Sequence, residues 1–176
     1  MTRFAAVAVF ASAALVAPFA ALARADVPVT VDAARIPAYK LIAPGLAVGG
    51  QPTAAGLAAL KEMGFRTVLS LRPQQEGPAE ESAAVEGQGL RFVRVPVTPD
   101  TFSLADVDAV QRVLDDPAAA PVLVHCASSN RVGAVWAVIQ ARRGVSAEEA
   151  EAKGREAGLH SPAMQEALRR VLAVRP

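Results

Sequence analysis

Cysteine, histidine and aromatic side chains are scarce in this sequence. The 176 residues include one cysteine and two histidines, and aromatic residues make up 5% of the chain. One cysteine excludes an intramolecular disulfide bond, so the thiol is either buried as a small apolar group or kept for its reactivity. Two histidines and one cysteine offer no cluster with the spacing of metal ligands. We therefore expect no metal and no other cofactor.

A surplus of either charge is also missing. Lysine and arginine together number 18, and aspartate and glutamate number 17, which gives a formal net charge of +1 with neutral histidines. The sequence has no basic run and no basic face with interleaved aromatic residues, so nucleic acid is not an expected partner. Beyond residue 25, no apolar run is long enough to span a bilayer.

The first 25 residues follow the pattern of a secretory signal peptide. Arg3 provides a short positive region, and residues 4–22 form an apolar run that is rich in alanine. Ala23 and Ala25 then occupy the small positions of a cleavage site before Asp26. This pattern predicts that residues 1–25 are removed during export.

An uncleaved membrane anchor is the alternative for this segment, but Pro18 interrupts the apolar run. A second cleavage site after Ala23 is also open. We expect residues 26–176 to form a single domain that is periplasmic or secreted. After cleavage, this domain is expected to have no stable insertion in a membrane.

Predicted strands and helices alternate along the chain, which indicates an α/β fold with a mostly parallel central sheet flanked by helices. Short β-branched runs mark the strands, and capping residues before apolar periodicity mark the helices. Residues 26–41 are predicted to form an arm that pairs at a sheet edge. The predicted strands cover residues 46–48, 65–71, 90–97 and 121–125. The predicted helices cover residues 54–63, 76–86, 103–115, 132–140, 146–156 and 161–174.

The stretch 121–140 contains the only cysteine and carries the strongest functional signal. An apolar strand ends at His125, a small polar segment runs from Cys126 to Arg131, and an apolar helix follows. This order directs backbone N–H groups and about half a positive charge toward one point, which favours a bound anion and a thiolate. Arg131 adds a planar fork of donors suited to an oxyanion. The loop residues Ala127, Ser128, Ser129 and Asn130 are predicted to bind the substrate.

An ordinary structural role is the alternative for this stretch, because a cysteine at a strand end is often a small buried hydrophobe. His125 would then be a core residue with its polar atoms satisfied. We favour the reactive interpretation, because a cysteine, an arginine, a polar loop and the flanking strand and helix all coincide.

Other polar residues follow the predicted strands at the edge where α/β proteins bind ligands. Arg72 and Glu76 follow one strand and are predicted to contact the substrate, with a surface ion pair as the alternative. Asp100 follows the next strand along the chain, where a turn residue is the alternative. Gln51 follows the first strand and is interpreted as a turn residue.

The motif HCASSNR, residues 125–131, resembles the signature loop of the cysteine-dependent tyrosine and dual-specificity phosphatases. The segments LAVGGQPT, GFRTVLSLRPQQE, GLRFVRVPV and PVLVHC are similar to the bacterial phosphatase-like domain of beta-lactamase-hydrolase-like proteins. The resemblance covers residues 46–140 and implies a dual-specificity-phosphatase-like fold. It also implies that Cys126 is the nucleophile, Arg131 the phosphate-binding residue and Asp100 the candidate general acid.

The sequence departs from the usual phosphatase loop in three respects. Four residues rather than five separate Cys126 from Arg131, the loop lacks a glycine, and Val132 replaces the hydroxyl residue that usually follows the arginine. The bacterial subfamily shares the short spacing, and so do rhodanese-type sulfurtransferases, whose loop cradles a persulfide.

Three functions therefore remain open. The first is a phosphatase that hydrolyses phosphomonoesters through a Cys126 phosphoenzyme. The second is a rhodanese-like sulfurtransferase that carries a Cys126 persulfide, and the third is a domain that binds an anion without turnover. The expected partner is an anionic small molecule or a phosphorylated substrate.

Overall fold

Five strands form one central sheet in a computed structural model that describes residues 27, 28 and 30–174. The predicted signal peptide, residues 1–25, lies outside the described residues. The strands are β1 (Lys40–Ala43), β2 (Leu46–Gly49), β3 (Thr67–Ser70), β4 (Arg91–Arg94) and β5 (Val122–His125). Their order is β1-β2-β5-β3-β4, in which β1 is antiparallel to β2 and the other neighbours are parallel.

Six helices follow the strands along the chain, which confirms the expected α/β fold. They are α1 (Ala54–Ala59), α2 (Pro78–Glu86), α3 (Leu104–Asp115), α4 (Asn130–Arg142), α5 (Ala147–Glu156) and α6 (Pro162–Ala173). In the described part of the chain, no helix is both long and apolar enough to cross a bilayer.

Alternation of side chains along the strands divides the core into two apolar clusters. One cluster packs against α3, α4 and α6, and we call that side of the sheet the α4 face. The other packs against α1, α2 and the N-terminal arm, and we call that side the α2 face. In β5, Val122 and Val124 belong to the α4 face, whereas Leu123 belongs to the α2 face.

The predicted helix caps explain where four of the helices begin. The hydroxyls of Thr53, Ser146 and Ser161 each accept a hydrogen bond from the backbone N–H three residues later. Asp106 accepts a hydrogen bond from the N–H of Ser103 at 2.9 Å, as the spacing of this pair predicts. Each bond satisfies a donor that the first helical turn leaves unpaired.

Several predicted boundaries differ from the structure. The N-terminal arm pairs with the sheet only at its end, because Lys40 and Leu41 belong to β1, which continues to Ala43. The helix predicted over 76–86 begins at Pro78, since Gly77 adopts a left-handed conformation with a φ of 68° and separates it from a 3₁₀ turn. The helix predicted from residue 132 begins two residues earlier, at Asn130.

The helices α4 and α5 approach each other closely through glycines. A Cβ atom on Gly133 would lie 2.5 Å from the carbonyl oxygen of Gly154, which is closer than atoms can pack. Gly158, after α5, has a φ of 111°, and a Cβ atom there would lie 2.6 Å from Cβ of Ser129. Glycine at these positions lets the α5–α6 connection contact the loop that follows β5.

Candidate active site

Cys126 lies directly after β5 at the carboxyl end of the parallel strands, the edge where ligands bind in such sheets. Its side chain is fully buried and belongs to the apolar cluster on the α4 face. The following loop contains only residues 127–129, because α4 begins at Asn130. The N-terminus of α4 therefore lies within a few residues of the thiol.

The β2–α1 connection holds one side of this loop. Gly50 and Ser128 form an isolated antiparallel bridge. The N–H of Gln51 donates to the carbonyl oxygen of Ala127 at 3.1 Å. Since both Ala127 and Ser128 are exposed, the loop lies at the surface while its backbone is fixed.

The α5–α6 connection holds the other side. Ser129 adopts a left-handed conformation with a φ of 66°, and its hydroxyl donates to the carbonyl oxygen of Ala157 at 2.8 Å. Asn130 Oδ1 accepts the N–H groups of His160 and Ser161 at 2.9 and 3.0 Å. The side chains of Ser129 and Asn130 are thus engaged with the protein. In this arrangement neither side chain is available for the substrate contact that the sequence predicts.

Arg131 lies in the first turn of α4 and extends toward the segment that follows β3. Its Nη2 atom donates to Oε2 of Glu76 at 2.9 Å, and its Nη1 atom lies 3.5 Å from the carbonyl oxygen of Leu71. Arg72 also contacts Glu76, with 3.4 Å between Nε and Oε2. The structure therefore brings together three residues that the sequence placed at this edge: Arg72, Glu76 and Arg131.

The charges in this cluster reinforce one another. Burial alone would lower the pKa of Arg131, but the hydrogen bond to Glu76 and the interaction with Cys126 outweigh it and raise that pKa above its usual value. Burial would raise the pKa of Glu76, but hydrogen bonds and charges from Arg131 and Arg72 hold it below its usual value. At neutral pH, Arg131 is therefore a cation and Glu76 a carboxylate.

Asp100 lies at the expected edge but outside this cluster. It is exposed in the turn between β4 and α3, and within the described residues it forms no hydrogen bond or ion pair. Gln51, interpreted from the sequence as a turn residue, donates through Nε2 to Oε1 of Glu81 at 3.1 Å.

Glu81 is the residue of this region that the sequence did not indicate. Its carboxylate is 3% exposed, and Oε1 lies 2.8 Å from Nε2 of the fully buried His125 in a bent contact. Oε2 lies 3.3 Å from Nη1 of Arg72. A helical pattern signals that Glu81 and Val85 share a face, but nothing in the pattern signals an acidic core position. Across residues 27–28 and 30–174, no group of three His, Cys, Asp or Glu side chains could hold a metal ion.

The elements that build this site also identify the family. Residues 38–143, which include every element from β1 to α4, match the model of the phosphatase-like domain of beta-lactamase hydrolase-like proteins. The chain belongs to this family. The beta-lactamase hydrolase-like protein of Xylella fastidiosa is 33% identical over 119 residues, which cover 64% of this chain and 27% of that protein. The phosphatase-like chain thus spans about a quarter of the length of the curated relatives it matches.

Solved structures place the phosphatase-like domain among cysteine-dependent phosphatase folds. A predicted phosphatase of Shewanella putrefaciens is 25% identical with a TM-score of 0.62, covering 79% of this chain and 91% of that one. TpbA of P. aeruginosa is 22% identical with a TM-score of 0.65, covering 89% and 92%. The fold and the family inferred from the motif are thereby confirmed.

Proposed function

We propose that this phosphatase-like domain hydrolyses phosphomonoesters through a phosphoenzyme on Cys126. The observation that carries the proposal is the placement of Arg131, which follows the thiol by five residues and is held by the ionised Glu76 at 2.9 Å. A guanidinium fixed beside a thiolate and a helix N-terminus is suited to the equatorial oxygens of a transferring phosphoryl group. A TpbA structure contains phosphotyrosine, and a Siw14 structure contains citrate, which supports an anionic substrate.

The reaction proceeds in two displacements. The Cys126 thiolate attacks phosphorus, and a P–S bond forms as the P–O bond to the leaving group breaks. Asp100 donates a proton to the departing oxygen, and its carboxylate then takes a proton from the water that attacks the phosphocysteine. Inorganic phosphate leaves, and the thiolate is regenerated.

Asp100 is preferred to Glu76 as the acid because of their surroundings. Glu76 contacts two arginines, which lower its pKa and occupy its carboxylate oxygens, so it is not free to approach a leaving group. Asp100 is exposed and forms no ion pair within the described residues.

The test is hydrolysis of an aryl phosphate by the purified protein and by Cys126→Ser. We expect the serine variant to lose at least roughly 10³-fold in rate, because the nucleophile is lost, while its circular dichroism stays unchanged. Glu148→Gln, which alters an exposed side chain on α5 away from the site, is the control and should keep its activity. Turnover that survives in Cys126→Ser would overturn the proposal.

A sulfurtransferase is the second candidate, and the short loop favours it. Only three residues separate Cys126 from α4, and the residue after Arg131 is the buried Val132 rather than a hydroxyl that assists thiolate departure. Thiosulfate would transfer its outer sulfur to Cys126 with release of sulfite, and cyanide would remove that sulfur as thiocyanate. Thiocyanate formation without phosphate release would make the sulfurtransferase the preferred function. If neither thiocyanate nor phosphate forms, anion binding without turnover is the function that remains.

We further propose that residues 1–25 are a signal peptide and that the single domain 26–176 works in the periplasm or outside the cell. The sequence pattern around Ala25 supports this proposal. Cell fractionation and N-terminal sequencing of the exported protein test it. We expect a mature chain that starts at Asp26, and an intact N-terminus in the cytoplasm would contradict it.

A further inference from the structure

Glu81 is a buried carboxylate with four partners from three separate segments. Besides His125 at 2.8 Å and Arg72 at 3.3 Å, it accepts from Gln51 Nε2 at 3.1 Å and from Ser70 Oγ at 3.5 Å. We call these five residues the Glu81 network. It lies on the α2 face, opposite the cluster that contains the thiol.

The network is not needed for packing. Burial raises the pKa of Glu81, but His125, Gln51 and Arg72 outweigh this effect and hold the pKa below its usual value, so the carboxylate is ionised. Burying a charge costs free energy, and a buried ion pair can often be replaced by apolar residues without loss of stability. An apolar residue at position 81 would extend the cluster that contains Val85.

Contacts of Glu81 lead to both reactive groups, which distinguishes it from the other buried residues of α2. On one side it contacts His125, which precedes Cys126 and whose Nδ1 lies 3.4 Å from the Cys126 carbonyl oxygen. On the other side it contacts Arg72, which contacts Glu76, which in turn holds Arg131. These contacts form a continuous path that starts at the backbone carbonyl of Cys126 and ends at Arg131, the arginine of the same loop.

We infer that Glu81 is a positioning residue that fixes the backbone at Cys126 through His125 and orients the anion-binding Arg131 through Arg72 and Glu76. This inference rests on the proposed function only in treating Cys126 and Arg131 as the reactive pair.

Removing the charge of Glu81 should loosen both ends of this path. Among the described residues, Arg72 would keep Glu76 as its only carboxylate partner and would draw it away from Arg131. His125 would lose the charged carboxylate that lies 2.8 Å from Nε2. Both ends of the loop would therefore be less well fixed, although neither Cys126 nor Arg131 has been changed.

The experiment uses Glu81→Gln in the full protein and two measurements that need no turnover. The first is the rate of iodoacetamide alkylation as a function of pH, which reports Cys126 alone because the chain has one cysteine. The second is the concentration of inorganic phosphate that halves this rate. We expect the alkylation profile to move to higher pH and the phosphate concentration to rise roughly tenfold, the scale of coupling within a side-chain network.

Glu80→Gln is the matched control, because Glu80 is the exposed neighbour on the same helix, and it should change neither measurement. In the double variant with Glu76→Gln, the effect of Glu81→Gln on phosphate protection should largely disappear, while its effect on the pH profile should remain. If Glu81→Gln does not fold, Glu81→Asp provides the same comparison with the charge kept and the reach shortened.

Unchanged values for both measurements, or a change in thermal stability alone, would overturn the inference. Additive effects of the two substitutions on phosphate protection would show that Glu81 does not act on Arg131 through Glu76. A wild-type protein whose alkylation phosphate does not slow would overturn the claim that Arg131 binds an anion. A protein that shows both shifts but hydrolyses no phosphate ester would support the inference and contradict the proposed function.

Discussion

His125 and Cys126 are consecutive, yet they face opposite sides of the sheet. Cys126 joins the apolar cluster of the α4 face, together with Val122 and Val124. His125 faces the α2 side, where it contacts the carboxylate of Glu81. The alternation of side chains along an extended chain thus sends the sulfur into an apolar environment and the imidazole into an ionic one.

The two faces therefore have different roles in the proposed site: the α4 face holds the thiol, and the α2 face holds charged side chains that fix its surroundings. On the α4 face the thiol is packed among apolar side chains, so in the proposed mechanism its activation would depend on the loop backbone, the α4 N-terminus and Arg131. On the α2 face, charged side chains fix the groups around it. Arg131 connects the two, because it begins on α4 and contacts Glu76 beside α2.

The largest expected effect tests whether Asp100, which belongs to neither the apolar α4 face nor the charged α2 face, donates the proton to the leaving group. Asp100→Asn should lower alkyl phosphate hydrolysis by roughly 10²–10⁴-fold, because an alkoxide needs a proton to leave. The loss should be much smaller for an aryl phosphate with a strongly acidic phenol. Steady-state rates with the two substrates check this. Equal losses with both, or none with the alkyl ester, would show that Asp100 is not the acid.

The next largest effect is expected when Arg131, which connects the two faces, is replaced. Arg131→Lys keeps the charge but loses the planar fork that contacts Glu76 and Leu71. We expect a cost of about 2–4 kcal/mol in transition-state stabilisation, the scale of one oxyanion donor. The ratio of kcat/KM values measures it, with Arg142→Lys at the other end of α4 as the control. A variant as fast as the wild type would show that Arg131 does not contact the transition state.

A smaller effect concerns the anchor of the loop on the α4 face. Ser129→Ala keeps the left-handed backbone but removes the donor to the buried Ala157 carbonyl, which should destabilise the fold by about 1–3 kcal/mol. Ser129→Gly also loses the donor but removes about 1–2 kcal/mol of left-handed strain, so it should be the more stable variant. Urea denaturation compares the pair, and the reverse order would refute the role of the φ angle.

The smallest expected effect is on the pH dependence of thermal stability, which the carboxylates of the α2 face should control. The pKa values of Glu76 and Glu81 are held below the ordinary value of 4.5, so each carboxylate contributes stability that is present above about pH 4.5. This contribution is lost as the pH falls through the lower, folded-state values. Thermal midpoints between pH 7 and 3 should therefore decline less steeply in Glu81→Gln than in the wild type. Parallel curves would mean that Glu81 is not ionised in the fold.

The local part of the site could be predicted from the sequence, and the long-range part could not. Cys126 and Arg131 lie in one short motif, so their proximity follows from a strand, a loop and a helix in sequence. The grouping of Arg72 and Glu76 with that motif followed from the rule that parallel strands end at one edge. The family and the fold class followed from the same elements and are confirmed.

Glu81 was missed because its environment depends on tertiary contacts. Position 81 lies in a mostly polar helix, and burial at that position arises only when α2 packs over the ends of β3 and β5. The start of α4 was missed because Ser129 adopts a left-handed conformation that usually belongs to glycine. Its anchor, the Ala157 carbonyl, lies 28 residues away in sequence.

The partners of Glu81 also have a consequence for how the domain folds. Ser70 and Arg72 lie 11 and 9 residues from Glu81, but Gln51 lies 30 residues away and His125 is at the end of β5, so the neighbouring chain alone cannot satisfy this carboxylate. Until these distant segments meet, complete burial of Glu81 is unfavourable, and their contacts require long loops to close. During refolding, the single Trp136 on α4, which is half-buried in the fold, should therefore reach its native environment before the contacts that fix the Cys126 loop are complete. Newly made chains would then pass through a compact state that is still chemically inert.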